Sequence, residues 1–364
     1  MSSKSESAEK AYECFGSDDE DATEGIAKGK DGENSVAERE ISCGILSFHQ
    51  HTEQSLLLSV KREIENLSCP VNMRAIAVLK AIDDYCLKRH WMMHMGPQKG
   101  CEILIDDALW QALTLYRKFN HPGLVRSKAP PPFIAVEMGT YCGYSAILMA
   151  LSLKRSQELN PSQSFHLYTF EVNKEYAEIA RQMIAMAALS HFVTVLLYNP
   201  DEDGEPVTNV LLRALVDDSV IEEPTEQDLD DLRLNNMPHV QFLFLDHAKD
   251  SYLKDLIQFE QKGLLKPLSV VCADNVVFAN IVDYIEHVKM LERKGIVSTY
   301  QVPAMVEYAT ERDEKDYGLE SLKDGVGKLT IQFSFCNHLI SSKLLLISTE
   351  ITTYKMNPIQ IHGS

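Results

Sequence analysis

Apolar residues follow two different periods along this chain, and the switch between them predicts its secondary structure. From residue 131 onward, short β-rich runs alternate with amphipathic helical stretches, which is typical of a parallel sheet covered by helices. The predicted strands are 133–138, 165–171, 192–197, 240–245, 268–273 and Gly327–Phe335. The predicted helices are Ala75–Lys88, Asp106–Phe119, Lys174–Ala188, Asn209–Val216 and Tyr252–Lys262. We therefore expect an α/β fold in which a mostly parallel sheet carries helices on both faces and is preceded by N-terminal helices.

Composition distinguishes the region of predicted strands and helices from three further segments. Residues 1–45, rich in Ser, Glu, Asp and Gly, are predicted to be a disordered acidic tail. An acidic insertion punctuated by proline occupies 198–238, and 336–364 form a C-terminal extension whose structure the pattern does not predict. The folded domain is therefore expected over 46–335.

The formal charge of −18 is concentrated in two of these segments. Residues 1–40 hold 12 acidic and five basic residues, and 198–238 hold 12 acidic and two basic residues. The remaining chain is nearly neutral, so no basic face for nucleic acid is expected. The eight cysteines form no CxxC pair, no apolar run could span a bilayer, and the N-terminus does not resemble a signal peptide. These features predict a cytoplasmic, monomeric protein with neither a nucleic-acid partner nor a membrane span.

The most informative segment is 136–146, where a buried strand breaks at Gly139 and Gly143 and re-enters an apolar helix. A strand, a glycine turn and a helix open the nucleotide-binding unit of many α/β domains. Glu137 precedes the first glycine, where an acid would repel a pyrophosphate but suit a cofactor with a cationic amino-acid tail. This favours S-adenosylmethionine over a dinucleotide, and the G-x-G-x-x-G spacing of a dinucleotide oxidoreductase is absent.

Three predicted strands end in acidic residues, at the edge of a parallel sheet where ligands bind. Glu171, after the second strand, is suited to accept hydrogen bonds from both ribose hydroxyls of a nucleotide. Asp246 follows the strand 240–245, and Asp274 with Asn275 follows 268–273. Two carboxylates and an amide oxygen are hard ligands of the kind that Mg²⁺ prefers. A strand-end aspartate is also a frequent helix N-cap, and that interpretation stays open for Asp246.

The chain resembles the catechol O-methyltransferase family over residues 75–335. The resemblance rests on several motifs in the same order, namely 81–86 (AIDDYC), 91–100 (WMMHMGPQKG), 137–145 (EMGTYCGYS), 170–173 (FEVN), 245–253 (LDHAKDSYL), 273–276 (ADNV) and 307–308 (EY). It implies a Rossmann-like methyltransferase fold with a seven-stranded, mostly parallel sheet. It also implies transfer of a methyl group from S-adenosylmethionine to one hydroxyl of a catechol-type vicinal diol.

The resemblance assigns a role to individual residues. Asp246, Asp274 and Asn275 would hold Mg²⁺, Lys249 would take the proton of the attacking hydroxyl, and Glu307 would bind the other hydroxyl. The residues implied to contact the cofactor are Met95, Glu137, Gly139, Tyr141, Ser145, Glu171, Val172, Asp246 and His247. Those implied to contact the acceptor are Trp91, Met93, Lys249, Asn275 and Glu307.

Three positions depart from the family pattern, all at the rim of the expected site. Ala248 replaces a tryptophan, Ala279 replaces a proline, and Pro200 with Asp201 replaces a Ser-Gln pair. They predict an altered acceptor preference and leave open a metal-dependent enzyme for a different diol. A non-catalytic scaffold that binds S-adenosylmethionine is a further alternative. Trp91 and the neighbouring methionines also fit a purely packing role, as Lys249 would fit a solvated surface charge.

Overall fold

The helices of the protein cover both faces of a seven-stranded sheet in this computed structural model, which describes residues 52–119, 131–217, 240–276, 281–304, 308 and 329–336. The strands are β1 (Phe133–Met138), β2 (Phe165–Glu171), β3 (Val193–Leu197), β4 (Val240–Leu245), β5 (Leu265–Ala273), β6 (Val297–Ala304) and β7 (Leu329–Cys336). Their order in the sheet is β3-β2-β1-β4-β5-β7-β6. The first five pair in parallel, whereas β7 runs antiparallel to both β5 and β6. The predicted seven-stranded, mostly parallel sheet is confirmed.

The helices are α1 (Thr52–Asn66), α2 (Arg74–Lys88), α3 (Trp110–Phe119), α4 (Tyr144–Leu159), α5 (Lys174–Met186), α6 (Val207–Asp217), α7 (Tyr252–Gln261) and α8 (Val282–Arg293). A π-helix, Gln98–Leu109, leads directly into α3. The helix predicted to begin at Asp106 therefore begins earlier, because the apolar side chains of Ile103, Leu104 and Ile105 are buried.

Two hydrophobic clusters lie on opposite faces of the sheet. Helices α1 to α5 and the π-helix contribute to one cluster, and α6, α7 and α8 contribute to the other. Helix α6 lies inside the predicted acidic insertion, yet Val207, Leu211 and Leu215 bury a helical stripe in the second cluster. The first half of that insertion is therefore packed onto the domain, while 218–239 lie outside the described residues.

Most of the remaining predicted appendages also lie outside the described residues. These are the tail 1–45 and the extension beyond Cys336. Cys69, Cys86, Cys101, Cys142 and Cys272 are free thiols. No helix of the described ranges is both long enough and apolar enough to cross a membrane.

Candidate active site

The glycine turn joins β1 to α4 at the carboxyl edge of the sheet. Its main-chain N–H groups at Gly139 and Thr140 both donate to the carbonyl oxygen of Phe170, at 3.0 and 3.1 Å. Gly139 has φ +99°, and a Cβ atom added there would lie 2.3 Å from the main-chain oxygen of Asp246. The turn therefore lies directly against the loop after β4, so that the expected cofactor turn and the expected metal ligand are neighbours.

Glu137 is fully buried beneath this turn. Its two carboxylate oxygens accept hydrogen bonds from Ser145 and from Thr169, the latter at 2.5 Å. Burial raises the pKa of Glu137 from its ordinary value to about 8, although both hydroxyl groups oppose the shift. A carboxylate in this position favours a positively charged ligand, because such a ligand supplies the compensation that the protein leaves incomplete.

Glu171 ends β2 beside the same turn. Its carboxylate accepts main-chain N–H bonds from Tyr141, Val172 and Asn173 at 2.7, 3.0 and 2.9 Å. Burial raises the pKa of Glu171, and these N–H groups counteract that effect. The neighbouring Val172 has 58% of its surface exposed. An oriented carboxylate beside an exposed apolar side chain suits the ribose and the base of a nucleoside.

A contact from the N-terminal helix completes the turn. The hydroxyl group of Tyr141, a residue with φ +48°, donates to Glu53 of α1 at 2.8 Å. Glu53 is itself only 2% exposed. Sequence patterns did not single out Glu53, since its contact with Tyr141 spans 88 residues. The same is true of Thr169, although its register opposite Glu137 in neighbouring strands would have shown that both lie on one face.

Asp246 and Asp274 come together at the ends of two neighbouring parallel strands. Leu245 and Ala273, the residues before them, are paired in register, and the N–H of Asp274 donates to the carbonyl oxygen of Leu245 at 3.0 Å. Asn275 has φ +59° and donates its N–H to Asp274 Oδ1 at 2.8 Å. The structure thus places the three predicted metal-ligating residues at one edge of the sheet.

Each of these carboxylates is paired with a lysine. Lys249 Nζ lies 2.8 Å from Asp246 Oδ1, and Lys99 Nζ lies 2.7 Å from Asp274 Oδ2. Lys99 stands in a motif of the family resemblance, but no sequence signal assigned it a role. The described residues contain no cluster of three His, Cys, Asp or Glu side chains able to hold a metal ion. A cation at this edge would therefore need the amide oxygen of Asn275, water or substrate to complete its ligands, as Mg²⁺ commonly does.

Tyr252 connects Lys249 to the carboxyl ends of β4 and β5. Its buried hydroxyl group accepts from Lys249 Nζ at 2.8 Å and lies 2.8 Å from the carbonyl oxygen of Leu245 and 3.2 Å from that of Asp274. Burial raises the pKa of Tyr252 well above its ordinary value, so the hydroxyl group stays protonated and donates to a carbonyl oxygen. Tyr252 was predicted only as the start of a helix.

His247 lies in the loop between β4 and α7, where two residues of α7 hold its ring. Its Nε2 atom lies 2.9 Å from Asp255 Oδ2, and its ring stacks on that of Tyr252 with centroids 4.9 Å apart. Ala248, which follows it, is exposed and begins the turn that carries Lys249. The position next to His247 therefore lacks the aromatic side chain of the family pattern, as the sequence predicted.

The segment 91–95 contributes mainly buried side chains. Trp91 and Met95 are 3% and 4% exposed within the first hydrophobic cluster, whereas Met93 is partly exposed. His94 lies between the rings of Tyr141 and Tyr144, with centroids 5.1 and 5.4 Å away. Burial lowers the pKa of His94 to about 3, so its ring is neutral. The predicted contacts of Trp91, Met93 and Met95 with ligands stay predictions.

Two predicted rim residues, Glu307 and Ala279, lie outside the described residues. The adjacent Tyr308 donates its hydroxyl group to Asp83 of α2 at 2.9 Å. Pro200 and Asp201 lie exposed in a single helical turn after β3, and Asn199 caps that turn through the N–H of Asp201.

Comparison with known proteins identifies the family of the chain. No protein-family model matches the chain. A catechol O-methyltransferase of Sus scrofa is 32% identical over 158 residues, which are 43% of this chain and 68% of that protein. The chain belongs to the catechol O-methyltransferase family. The catechol O-methyltransferase of Bos taurus is 30% identical over 213 residues, covering 58% of this chain but only 59% of the bovine protein.

Among solved structures, an O-methyltransferase from Bacillus cereus in complex with SAH is similar at a TM-score of 0.38 and 16% identity. That similarity covers 78% of this chain and 99% of the other. The family's name matches the resemblance inferred from the motifs, and the sheet has the predicted α/β architecture.

Proposed function

We propose that this protein transfers a methyl group from S-adenosylmethionine to one hydroxyl of a catechol-type vicinal diol, with Mg²⁺ at the acceptor site. The observation that carries the proposal is the contact between Gly139 and the main-chain oxygen of Asp246. Because of it, a ligand of the glycine turn and an acceptor at the Asp246 edge would be held next to each other. Such positioning is the main contribution that a protein makes to an in-line displacement.

The cofactor would occupy the region between Glu137 and Glu171. The buried Glu137 would lie near the ammonium group of the methionine tail, with Gly139, Tyr141 and Ser145 around it. Glu171 would accept from the ribose hydroxyls, while Val172 and His247 would flank the adenine. A cationic ligand fits this region because it would stabilise the ionised form of Glu137, which burial disfavours in the ligand-free protein.

The acceptor would lie at the edge formed by Asp246, Asp274 and Asn275, whose oxygen atoms fit a hard divalent cation. When bound, Mg²⁺ would orient both oxygens of the diol and make the attacking hydroxyl more acidic. In its neutral form, Lys249 would accept the proton of that hydroxyl as the new O–CH₃ bond forms and the S–CH₃ bond breaks. Its side chain is 31% exposed, so it can exchange protons with solvent after each turnover.

The experiment is transfer of a labelled methyl group from S-adenosylmethionine to 3,4-dihydroxybenzoate, with Mg²⁺ and with a chelator. We expect turnover that the chelator abolishes and that Lys249→Ala lowers by about 10² to 10⁴-fold, the usual contribution of a general base. Lys254→Ala, at an exposed position of α7, is the matched control and should retain full activity.

A different diol acceptor is the second candidate, and the exposed Ala248 favours it. Its small side chain leaves the rim wider than an indole would, so a bulkier diol could enter. Chelator-sensitive transfer to another diol but not to 3,4-dihydroxybenzoate would support this candidate. Cofactor binding by calorimetry without transfer to any diol would instead favour a non-catalytic scaffold.

A further inference from the structure

Lys99 is a buried lysine that the proposed reaction leaves without a role. It stands in the first turn of the π-helix Gln98–Leu109, and its side chain is 1% exposed. A lysine is almost never buried to this degree unless its charge is compensated by a partner. Its location next to the predicted metal ligands therefore calls for a functional explanation.

The partner is Asp274, one of those ligands. Lys99 Nζ lies 2.7 Å from Asp274 Oδ2, and the Asp274 side chain is 3% exposed. The other carboxylate oxygen accepts the N–H of Asn275 at 2.8 Å. Both oxygens are thus engaged by the protein itself, and one of them faces a full positive charge.

The second lysine–aspartate pair of the site differs from this one in its exposure. Lys249 and Asp246 are 31% and 24% exposed at a separation of 2.8 Å. Lys249 can therefore turn into solvent when another cation approaches Asp246. Lys99 has no such route, because its side chain is enclosed between the π-helix and the end of β5.

We propose that Lys99 is a fixed counter-charge for Asp274, which keeps the ligand site formed without a cation and weakens the binding of a divalent cation there. The inference rests on the proposed metal-dependent function. A positive charge held in a poorly solvated place repels a second cation that binds the same carboxylate. The same charge stabilises the cation-free protein, because an uncompensated buried carboxylate is strongly destabilising. The metal site is therefore pre-formed, and the cation exchanges readily.

A merely structural ion pair predicts a different pattern. If the pair only joined the π-helix to the sheet, removal of Lys99 would loosen Asp274 and weaken cation binding. The direction of the change in cation affinity separates the two roles.

The test uses the full chain without S-adenosylmethionine or acceptor. The Kd for Mn²⁺, as a stand-in for Mg²⁺, is measured by calorimetry, and urea unfolding is followed with and without Mg²⁺. For Lys99→Met we expect Mn²⁺ binding tighter by about tenfold or more. Its unfolding midpoint should fall in the absence of cation, and Mg²⁺ should raise that midpoint by more than in the natural protein. Lys88→Met removes an exposed lysine paired with Asp84 at 3.0 Å and should change neither quantity.

An unchanged or weaker Mn²⁺ affinity in Lys99→Met, with binding intact in the natural protein, overturns the counter-charge and leaves the proposed function standing. Absence of Mn²⁺ binding in the natural protein overturns both. If Lys99→Met does not fold without cation, its folding is followed by circular dichroism as Mg²⁺ is added. Folding restored at or below the Mg²⁺ concentration that half-saturates the natural protein supports the counter-charge, because the cation then replaces the missing positive charge, and restoration only above that concentration, or none, overturns it.

Discussion

The α-carbon of Gly139 lies so close to the main-chain oxygen of Asp246 that a single added methyl group would approach it to 2.3 Å. The two residues belong to different βα loops, after β1 and after β4, which are neighbouring strands in the sheet. This contact determines how closely the glycine turn and the loop after β4 approach each other.

Gly139→Ala should therefore destabilise the protein by about 3 kcal/mol or more, because it combines a clash with main-chain atoms and a φ of +99°. Urea unfolding measures the change. Gly263→Ala is the control, since Gly263 has φ +66° but nothing within 4 Å of an added Cβ, and it should cost only about 1 kcal/mol. Equal losses in the two variants would show that the backbone dihedral, not the contact with Asp246, matters at Gly139.

Glu137 should make the ligand-free protein less stable as the pH rises. Its pKa is raised from 4.5 to about 8 on folding. Between these values the folded protein retains a proton that the unfolded chain has released, so the free energy of unfolding falls as the pH rises through this window. Glu137→Gln should remove this loss. Between pH 5 and pH 8, its free energy of unfolding should therefore rise by a few kcal/mol relative to that of the natural protein.

Unfolding in urea at several pH values, without ligand, gives the comparison for Glu137. Glu158→Gln, at an exposed position, should leave the pH profile of the natural protein unchanged. Parallel profiles for Glu137→Gln and the natural protein would contradict the raised pKa.

In contrast to Glu137, His94 should make the protein less stable as the pH falls. Burial lowers its pKa from 6.5 to about 3, so the unfolded chain binds a proton that the folded protein excludes. The stability contributed by the neutral ring is therefore lost as the pH falls below 6.5. His94→Phe keeps a ring between Tyr141 and Tyr144. On acidification from pH 7 to pH 5, its free energy of unfolding should fall by about 2 kcal/mol less than that of the natural protein.

Thermal unfolding at pH 7 and pH 5 measures this difference for His94. The exposed His191 provides the matched variant, His191→Phe, which should lose as much stability as the natural protein on acidification. An identical acid loss in His94→Phe would argue against a neutral, buried imidazole.

Tyr252→Phe should loosen the chain after β4 and β5 without creating a cavity. The hydroxyl group that it removes contacts Lys249 and the carbonyl oxygens of Leu245 and Asp274. We expect a loss of about 1–3 kcal/mol, because these buried groups are left without that partner. Tyr198→Phe removes a hydroxyl group that donates to the carbonyl oxygen of Glu205 at 2.7 Å, and it should cost less.

The same Tyr252→Phe variant should bind Mn²⁺ more weakly, because the carbonyl group of Asp274 loses one of its tethers. Calorimetry without cofactor or acceptor gives the affinity. Unaltered affinity together with lowered stability would restrict Tyr252 to a packing role.

Local patterns in the sequence were enough to predict six of the seven strands and most of the helices, whereas β6 and α8 were not predicted. Strands β1, β2 and β4 begin and end as predicted, and so does α2 to within one residue. The glycine turn and the acids at the strand ends were also predicted, since a parallel sheet brings all its strand ends to one edge. These features depend on the residues of a single element and its immediate neighbours, which is the range over which hydrophobic periodicity carries information.

The partners of those acids were decided only by the tertiary structure. Lys99 and Asp274 are 175 residues apart, and Glu53 and Tyr141 are 88 apart. Strand β7 lies between β5 and β6, although it follows both in the chain. Such contacts arise from how helices pack on the finished sheet, and a periodic pattern does not specify which helix covers which strand end. The sequence by itself determined which groups could perform the chemistry, and packing determined which charges compensate them.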